Sequence, residues 1–259
     1  MNAWCKGKNM KNTVTNNIPS AVTDKSGKKH IIPALWDENR SRISWTNGKT
    51  GIPSVNLLAG DGDYDGYTPE VLKGLPSACG SCGCNCDGCY AKKMTRYIDV
   101  FIKFYLNTLE AKEDPERFVS LIEKELFSGH FLTHPRIVRF HDSGDMVSYD
   151  YLVALMGMSV RHPYTQFGTY TKQEEIMHQY GLDNIPQNVV VSCSPWEGYC
   201  QPIGNLPQFI YDDHTNPEIA SLPHCPAVTK EGKRTGVQCI QCLHCYTAKR
   251  GDRWAVHAH

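Results

Sequence analysis

The sequence predicts an α/β protein built as a partial, incomplete parallel β/α barrel, followed by a small C-terminal cysteine-rich segment. Two observations carry this. From about residue 51 to 215, short β-branched stretches alternate with amphipathic helical ones, the pattern of parallel strands joined by right-handed crossovers into an open sheet or a partial barrel. Nine of the twelve cysteines fall into two tight groups, between Cys79 and Cys89 and between Cys225 and Cys245. The 259 residues suit one large domain with a small appendage. Three segments follow from this: a basic arm over 1–50, the partial barrel with the first cysteine group over 51–215, and the second cysteine group over 216–259.

The elements follow in order. Ile52 to Leu58 is an apolar, β-branched run that predicts a buried strand. A loop rich in Gly, Asp and Pro comes next; its Asp61, Asp63 and Asp65 imitate the opening of a calcium-binding loop, but the twelfth position is Leu72 where a bidentate Glu belongs. Met94, Ile98, Phe101, Ile102, Tyr105 and Leu109 recur at helical spacing, with Arg96, Asp99, Lys103 and Asn107 between them on what should be the solvated face. Asp114-Pro115 supplies a cap and a preset first turn for a second helix, ended by Gly129. Arg136 to His141 is a strand, the apolar run after Ser148 a helix packed on the sheet, and Tyr164 to Thr171 the next strand. Thr171 and Glu174 have capping-box spacing, and Gly181 closes the helix they would start. Asn188 to Cys193 is another strand, and Lys230 to Arg234 a hairpin turn.

Composition narrows the function classes. Hydrophobic residues make up 41% and charged residues 21%, which argues against disorder along the whole chain. The longest apolar stretch, Tyr151 to Val160, is about half the ~20 residues a bilayer span needs, and the start lacks an apolar signal core, so a cytoplasmic protein with no membrane partner is expected. Residues 1–50 hold nine Lys or Arg against three Asp or Glu, a basic arm that is either a solvated tail or a nucleic-acid contact.

Clustered thiols in a reducing compartment converge on a metal more readily than they pair as disulfides. Cys82, Cys86 and Cys89 stand at x3 and x2 spacing, that of three-cysteine iron–sulfur sites, which leave one iron of a four-iron cluster open to a ligand. Cys79 and Cys84 are alternates in this group, and a structural zinc knuckle is the alternative, because four of five nearby thiolates can close a tetrahedron. In the second group Cys239, Cys242 and Cys245 stand at two-residue intervals, and Cys225-Pro226 adds a fourth ligand, the parts of a closed 4Fe-4S site. Zinc, with His224 or His244, is the alternative there. Ligands in such α/β folds bind at the C-terminal strand ends, where His141 to Asp145, Thr171-Lys172 and Ser192 to Trp196 fall. Lys172, Trp196 and Glu197 are candidate substrate-pocket residues.

The segment Asn47 to Gly51, the Cys89-Tyr90-Ala91-Lys92 step, the strand into His141-Asp142-Ser143-Gly144-Asp145, the Tyr170-Thr171-Lys172 triplet and the terminal cysteines together resemble the phage and plasmid gene product 88 family over about residues 45 to 248. That family in turn resembles the radical S-adenosylmethionine barrels, in which a Gly-Gly-Glu-Pro segment after the second strand binds the amine of the cofactor. The resemblance implies that Ser143, Gly144 and Asp145, with Lys172, bind S-adenosylmethionine, Asp145 as the amine ligand. It further implies two 4Fe-4S clusters, an electron donor, and radical hydrogen abstraction from an unknown substrate. The competing expectation is a non-catalytic metal-stapled module that binds nucleic acid through residues 1–50 and Lys92, Lys93 and Arg96.

Overall fold

The computed structural model describes residues 18, 20–24, 26–45, 51–59, 78, 91, 96–195 and 201–257. A hairpin of β1 (Ala21–Thr23) and β2 (Lys29–Ile31) precedes a seven-stranded sheet. That sheet takes β3 (Ile43–Ser44), β4 (Ser54–Val55), β5 (Ile137–Phe140), β6 (Gln166–Thr171), β7 (Val189–Cys193), β8 (Gln208–Asp212) and β9 (Arg253–His257) in strict chain order. β3 pairs antiparallel with β4, and every later neighbour is parallel. β7 and β8 share one register pair, Cys193 with Gln208, so β8 and β9 carry the sheet on beyond the C-terminal end of β7. No helix among the described residues is long and apolar enough to cross a membrane.

Helices α1 (Ile98–Glu113) and α2 (Pro115–Phe127) connect β4 to β5, α3 (Tyr149–Arg161) connects β5 to β6, and α4 (Glu174–Tyr180) connects β6 to β7. Asp114 caps α2 as its sequence predicts, accepting from the Arg117 amide at 3.0 Å, with Pro115 in the first turn. Ser148 caps α3 in the same way through the Tyr151 amide at 3.1 Å. The expected capping box at Thr171 does not form. Thr171 ends β6, its hydroxyl accepts from the Gln173 amide at 3.0 Å, and Gln173 stands at the cap without a side-chain bond. Gly181 ends α4 at φ +84°, a left-handed turn that favours glycine.

Alternation along the strands sorts the two faces. Val138, Phe140, Phe167, Val189, Val191 and Cys193 pack with Phe118 and Ile122 of α2, Tyr151, Leu152 and Leu155 of α3, and Met177 of α4 in one buried cluster. Fully burying each large apolar chain there contributes about 1.5–3 kcal/mol. A second cluster joins α1, through Phe101, Phe104, Tyr105 and Leu109, to Val22 and Ile32 of the hairpin segment and to Leu58.

Alpha-1 departs from the simple amphipathic reading. Asn107 and Glu110 are completely buried: the Asn107 amide donates to the carbonyls of Arg42 and Asn56 at 3.0 Å. Glu110 accepts from Arg40 at 2.6 Å, from Arg42 at 2.8 and 2.9 Å, and from the Trp36 amide at 2.9 Å. Two cations of the basic segment are therefore held inside the protein against a helix. β3, which follows them, is the edge strand of the main sheet.

Candidate metal centre

The loop after β5 is built to be rigid. His141 lies at φ +61° and is buried, its Nδ1 2.9 Å from the Thr169 hydroxyl and its Nε2 3.1 Å from the Tyr151 hydroxyl. Burial pushes its pKa down to about 3, so it is a neutral packing group between two strands and α3. The Ser143 amide donates to Asn56 Oδ1 at 3.1 Å, and the Ser143 carbonyl accepts from the Leu57 amide at 3.0 Å. Gly144 sits at φ +80° against this contact; a Cβ there would stand 2.6 Å from Leu57 Cβ and 2.9 Å from its backbone. Only glycine lets the two strand ends approach so closely.

Asp145 is buried with one carboxylate oxygen on the Met146 amide at 2.7 Å and the other on the Lys172 amide at 2.8 Å, while the Thr171 hydroxyl adds a third donor. Burial raises its pKa to about 6 against these donors, which favour the charged form. The carboxylate thus clamps the end of β5 to the end of β6. Both carboxylate oxygens are already taken by backbone amides, with the Thr171 hydroxyl beside them, and this does not fit the role of ligand to a cofactor amine. Ser143 keeps a buried hydroxyl with no hydrogen-bond partner among the described residues.

The chain also returns to this corner ahead of the first cysteine group: the Ala78 amide donates to the Leu58 carbonyl at 2.9 Å, just beyond the C-terminal end of β4. Leu58 and Ala78 are therefore neighbours in space although they are far apart in the chain. Cys79, Cys82, Cys84, Cys86 and Cys89 lie outside the described residues, as do Lys92, Lys93, Trp196, Glu197 and the acidic loop Asp61 to Leu72.

The second cysteine group lies on the face that the helices leave free. Gly168 of β6 receives the Tyr246 ring so closely that a Cβ would stand 2.6 Å from two ring carbons. Tyr170, two residues on, stacks under the Arg139 guanidinium at 4.9 Å and against Phe209 at 4.9 Å. Its hydroxyl bonds to Cys245. Burial pushes the Cys245 thiol up to about 11, the Tyr170 bond and Arg139 pull it down, and Cys225 and Cys239 are close enough to push it up. Cys245 thus lies within electrostatic reach of both Cys225 and Cys239.

Cys225 is fixed by its amide on the Ala255 carbonyl at 2.8 Å. Cys239 and Cys242 bound the short helix α5 (Cys239–Cys242); Leu243 then turns left-handed at φ +58°, and Cys245 sits in α6 (His244–Thr247). A left-handed leucine costs about 1–2 kcal/mol, which the surroundings must over-determine. Val228 and Arg234 bridge as the hairpin expected around residues 230–234. Cys193, Cys225, Cys239, Cys242 and Cys245 form no disulfide, and of these only Cys193 is buried, in β7. His224 and His244 turn to other partners: His224 Nε2 meets Asp212 at 2.8 Å, and the His244 ring stands edge-on to Trp254 at 4.8 Å.

A family model described as Gene product 88 matches residues 59–248, about three-quarters of the chain. The chain belongs to the gene product 88 family. No curated protein and no solved structure matches it. The matched span of this gene product 88 protein runs from the end of β4 through both cysteine groups and stops short of β9. Arg139, Gly168 and Tyr246, which frame Cys245, carry no motif of their own; the single sequence hint is a glycine in the middle of a β-branched strand.

Proposed function

We propose that this protein is an iron–sulfur protein on a partial parallel β/α barrel, with a closed four-cysteine site at Cys225, Cys239, Cys242 and Cys245 and an open three-cysteine site at Cys82, Cys86 and Cys89. The carrying observation is the C-terminal segment itself. It has four half-buried cysteines that form no disulfide and, between Cys225 and Cys245, only Ala227 and Val228 as buried apolar side chains. A stretch that builds almost no core needs a staple, and a bound metal centre makes binding energy into folding energy. The consecutive parallel strand order and the return of the chain to Leu58 at Ala78 support the barrel and the strand-end location of the first group.

Cys82, Cys86 and Cys89 would hold a cluster with one open iron, which would supply the electron for reductive cleavage of S-adenosylmethionine and so a hydrogen-abstracting radical. This chain's own contribution is positional. Tyr170 donates to the Cys245 sulfur and Arg139 places positive charge beside it, both of which stabilise a thiolate. The Asp145 clamp fixes the strand ends, and the Ser143 hydroxyl offers a buried polar group to a ligand there. The rival reading, a nucleic-acid-binding module, loses Arg40 and Arg42 to Glu110.

Anaerobic purification followed by iron, acid-labile sulfide and zinc analysis tests the proposal. We expect brown protein with iron and sulfide for two four-iron clusters, and slow release of 5′-deoxyadenosine when the reduced protein meets S-adenosylmethionine. Zinc in place of iron with no labile sulfide would sink the cluster assignments. Full cluster content with no cofactor cleavage would leave an electron-transfer or structural iron–sulfur protein and remove the radical chemistry.

A further inference from the structure

Asp212, the last residue of β8, and His257, the last of β9, are register partners, so parallel pairing sets their side chains side by side on one face. His224 joins them because it bridges to Ala255, two residues before His257. Around the buried Asp212 carboxylate, one oxygen lies 2.8 Å from His224 Nε2, 3.4 Å from His257 Nδ1 and 3.2 Å from His214 Nδ1. The ligand atoms of Asp212, His224 and His257 all lie within 4.8 Å of one another. For bonds of about 2.0–2.1 Å at tetrahedral angles, ligand atoms stand about 3.3 Å apart. The observed separations bracket that value.

His214 turns one ring nitrogen toward the same carboxylate and fixes the other outside the cluster. Its Nε2 lies 3.2 Å from the Lys230 carbonyl, which can only accept, so Nε2 carries the hydrogen. That leaves Nδ1 as the ring nitrogen facing the Asp212 carboxylate, placed to ligate an ion held between them. A histidine anchored through one nitrogen by a backbone carbonyl, with the other nitrogen aimed at a shared centre, is how metal-ligating imidazoles are held.

We propose that Asp212, His224 and His257, with His214 as the fourth ligand, form a thiolate-free site for a zinc-class divalent ion. Nitrogen and carboxylate donors in this number suit borderline ions of that kind. The ligands come from β8, from the connection after it and from β9, so the ion ties the ends of the last two strands to the segment that leads into Cys225. This site is independent of the cluster assignments.

The test uses Co2+ as the probe on the full-length protein after labile metal is removed with a chelator. Wild-type protein should bind one Co2+ with visible ligand-field bands of nitrogen and oxygen donors, separate from any thiolate-to-cobalt charge transfer that the cysteine group contributes. These bands should persist in Cys242→Ala and disappear in His224→Gln combined with His257→Gln. A wild-type spectrum with thiolate character alone, which needs no folded variant to interpret, would overturn the proposal. So would thiolate-free binding that survives the double substitution.

Discussion

Gly168→Ala measures how tightly the cysteine segment is seated on the sheet. Gly168 is not at positive φ, so the backbone accepts alanine, and the substitution alone would stabilise by about 0.4–1 kcal/mol through the unfolded chain. The Tyr246 ring decides otherwise. A Cβ would stand 2.6 Å from two of its carbons, whereas contacts between carbons settle at about 3.5–4.0 Å, so the ring must retreat by about 1 Å. Overpacking of this kind costs about 1–3 kcal/mol, which leaves a net loss of up to about 2.6 kcal/mol. Because Cys245 directly precedes Tyr246 in the chain, the displacement should appear as lost metal and as protease cleavage between residues 225 and 247, with a lowered Tm. Tyr246→Ala alone should cost about 3–5 kcal/mol as a truncated buried aromatic. The double variant should then cost less than the sum by about 1–3 kcal/mol, since the clash is gone. Additive costs, or a Gly168→Ala protein with full metal and a raised Tm, would refute the contact.

Two further substitutions probe the frame around the site. Asp145→Asn leaves one of two backbone amides facing a carboxamide NH2 in a buried position, a loss of about 1–3 kcal/mol. Because the folded pKa is raised from 3.8 to about 6, the wild type's stability from this group is fully present below about pH 4 and falls by about 3 kcal/mol as pH rises through that window. The Asn variant has no such dependence, so its penalty should be smaller at pH 7.5 than at pH 5 by about 1.4 kcal/mol in urea melts, and equal penalties would count against a buried ionisable clamp. Glu110→Ala strands the buried Arg40 and Arg42 guanidiniums and should cost about 3–5 kcal/mol by denaturant unfolding, a loss under 1 kcal/mol contradicting the ion cluster.

What was legible in the sequence follows the strength of local pattern. β5, β6 and β7 are β-branched runs bounded by turns, and α2 and α3 carry both an apolar stripe and a capping residue, so periodicity and end chemistry agree. β8 (Gln-Phe-Ile-Tyr-Asp) and β9 (Arg-Trp-Ala-Val-His) mix aromatic and polar residues over five positions and are held by long-range pairing, which local propensity does not see. Glu110 and Asn107 occupy the polar stripe of α1, and what buries them is a segment about seventy residues earlier in the chain. The capping box failed because Thr171 still belongs to β6 and its hydroxyl already serves Gln173 and Asp145. The cysteine groups stand out by spacing alone, whereas Asp212, His224 and His257 are scattered and meet only once β8 and β9 pair.

Strand alternation also separates the two proposed centres. Phe209 packs on Tyr170 and on Trp254, so odd-numbered β8 residues share the face that carries Cys245, while Asp212 and its partner His257 have the opposite parity. His224 and Cys225 are adjacent in the chain and bond along the same edge of β9, and extended backbone sends successive side chains to opposite sides. One peptide step therefore feeds an imidazole to one face and a thiol to the other. Cys193 obeys the same rule: it packs with Val189 and Val191 against the helices, on the side away from Tyr170, and so cannot supply a ligand to the thiol group although β7 adjoins β6. The sheet thus stands between a sulfur-rich donor set and a nitrogen-rich one, and the two proposed centres share no side chain.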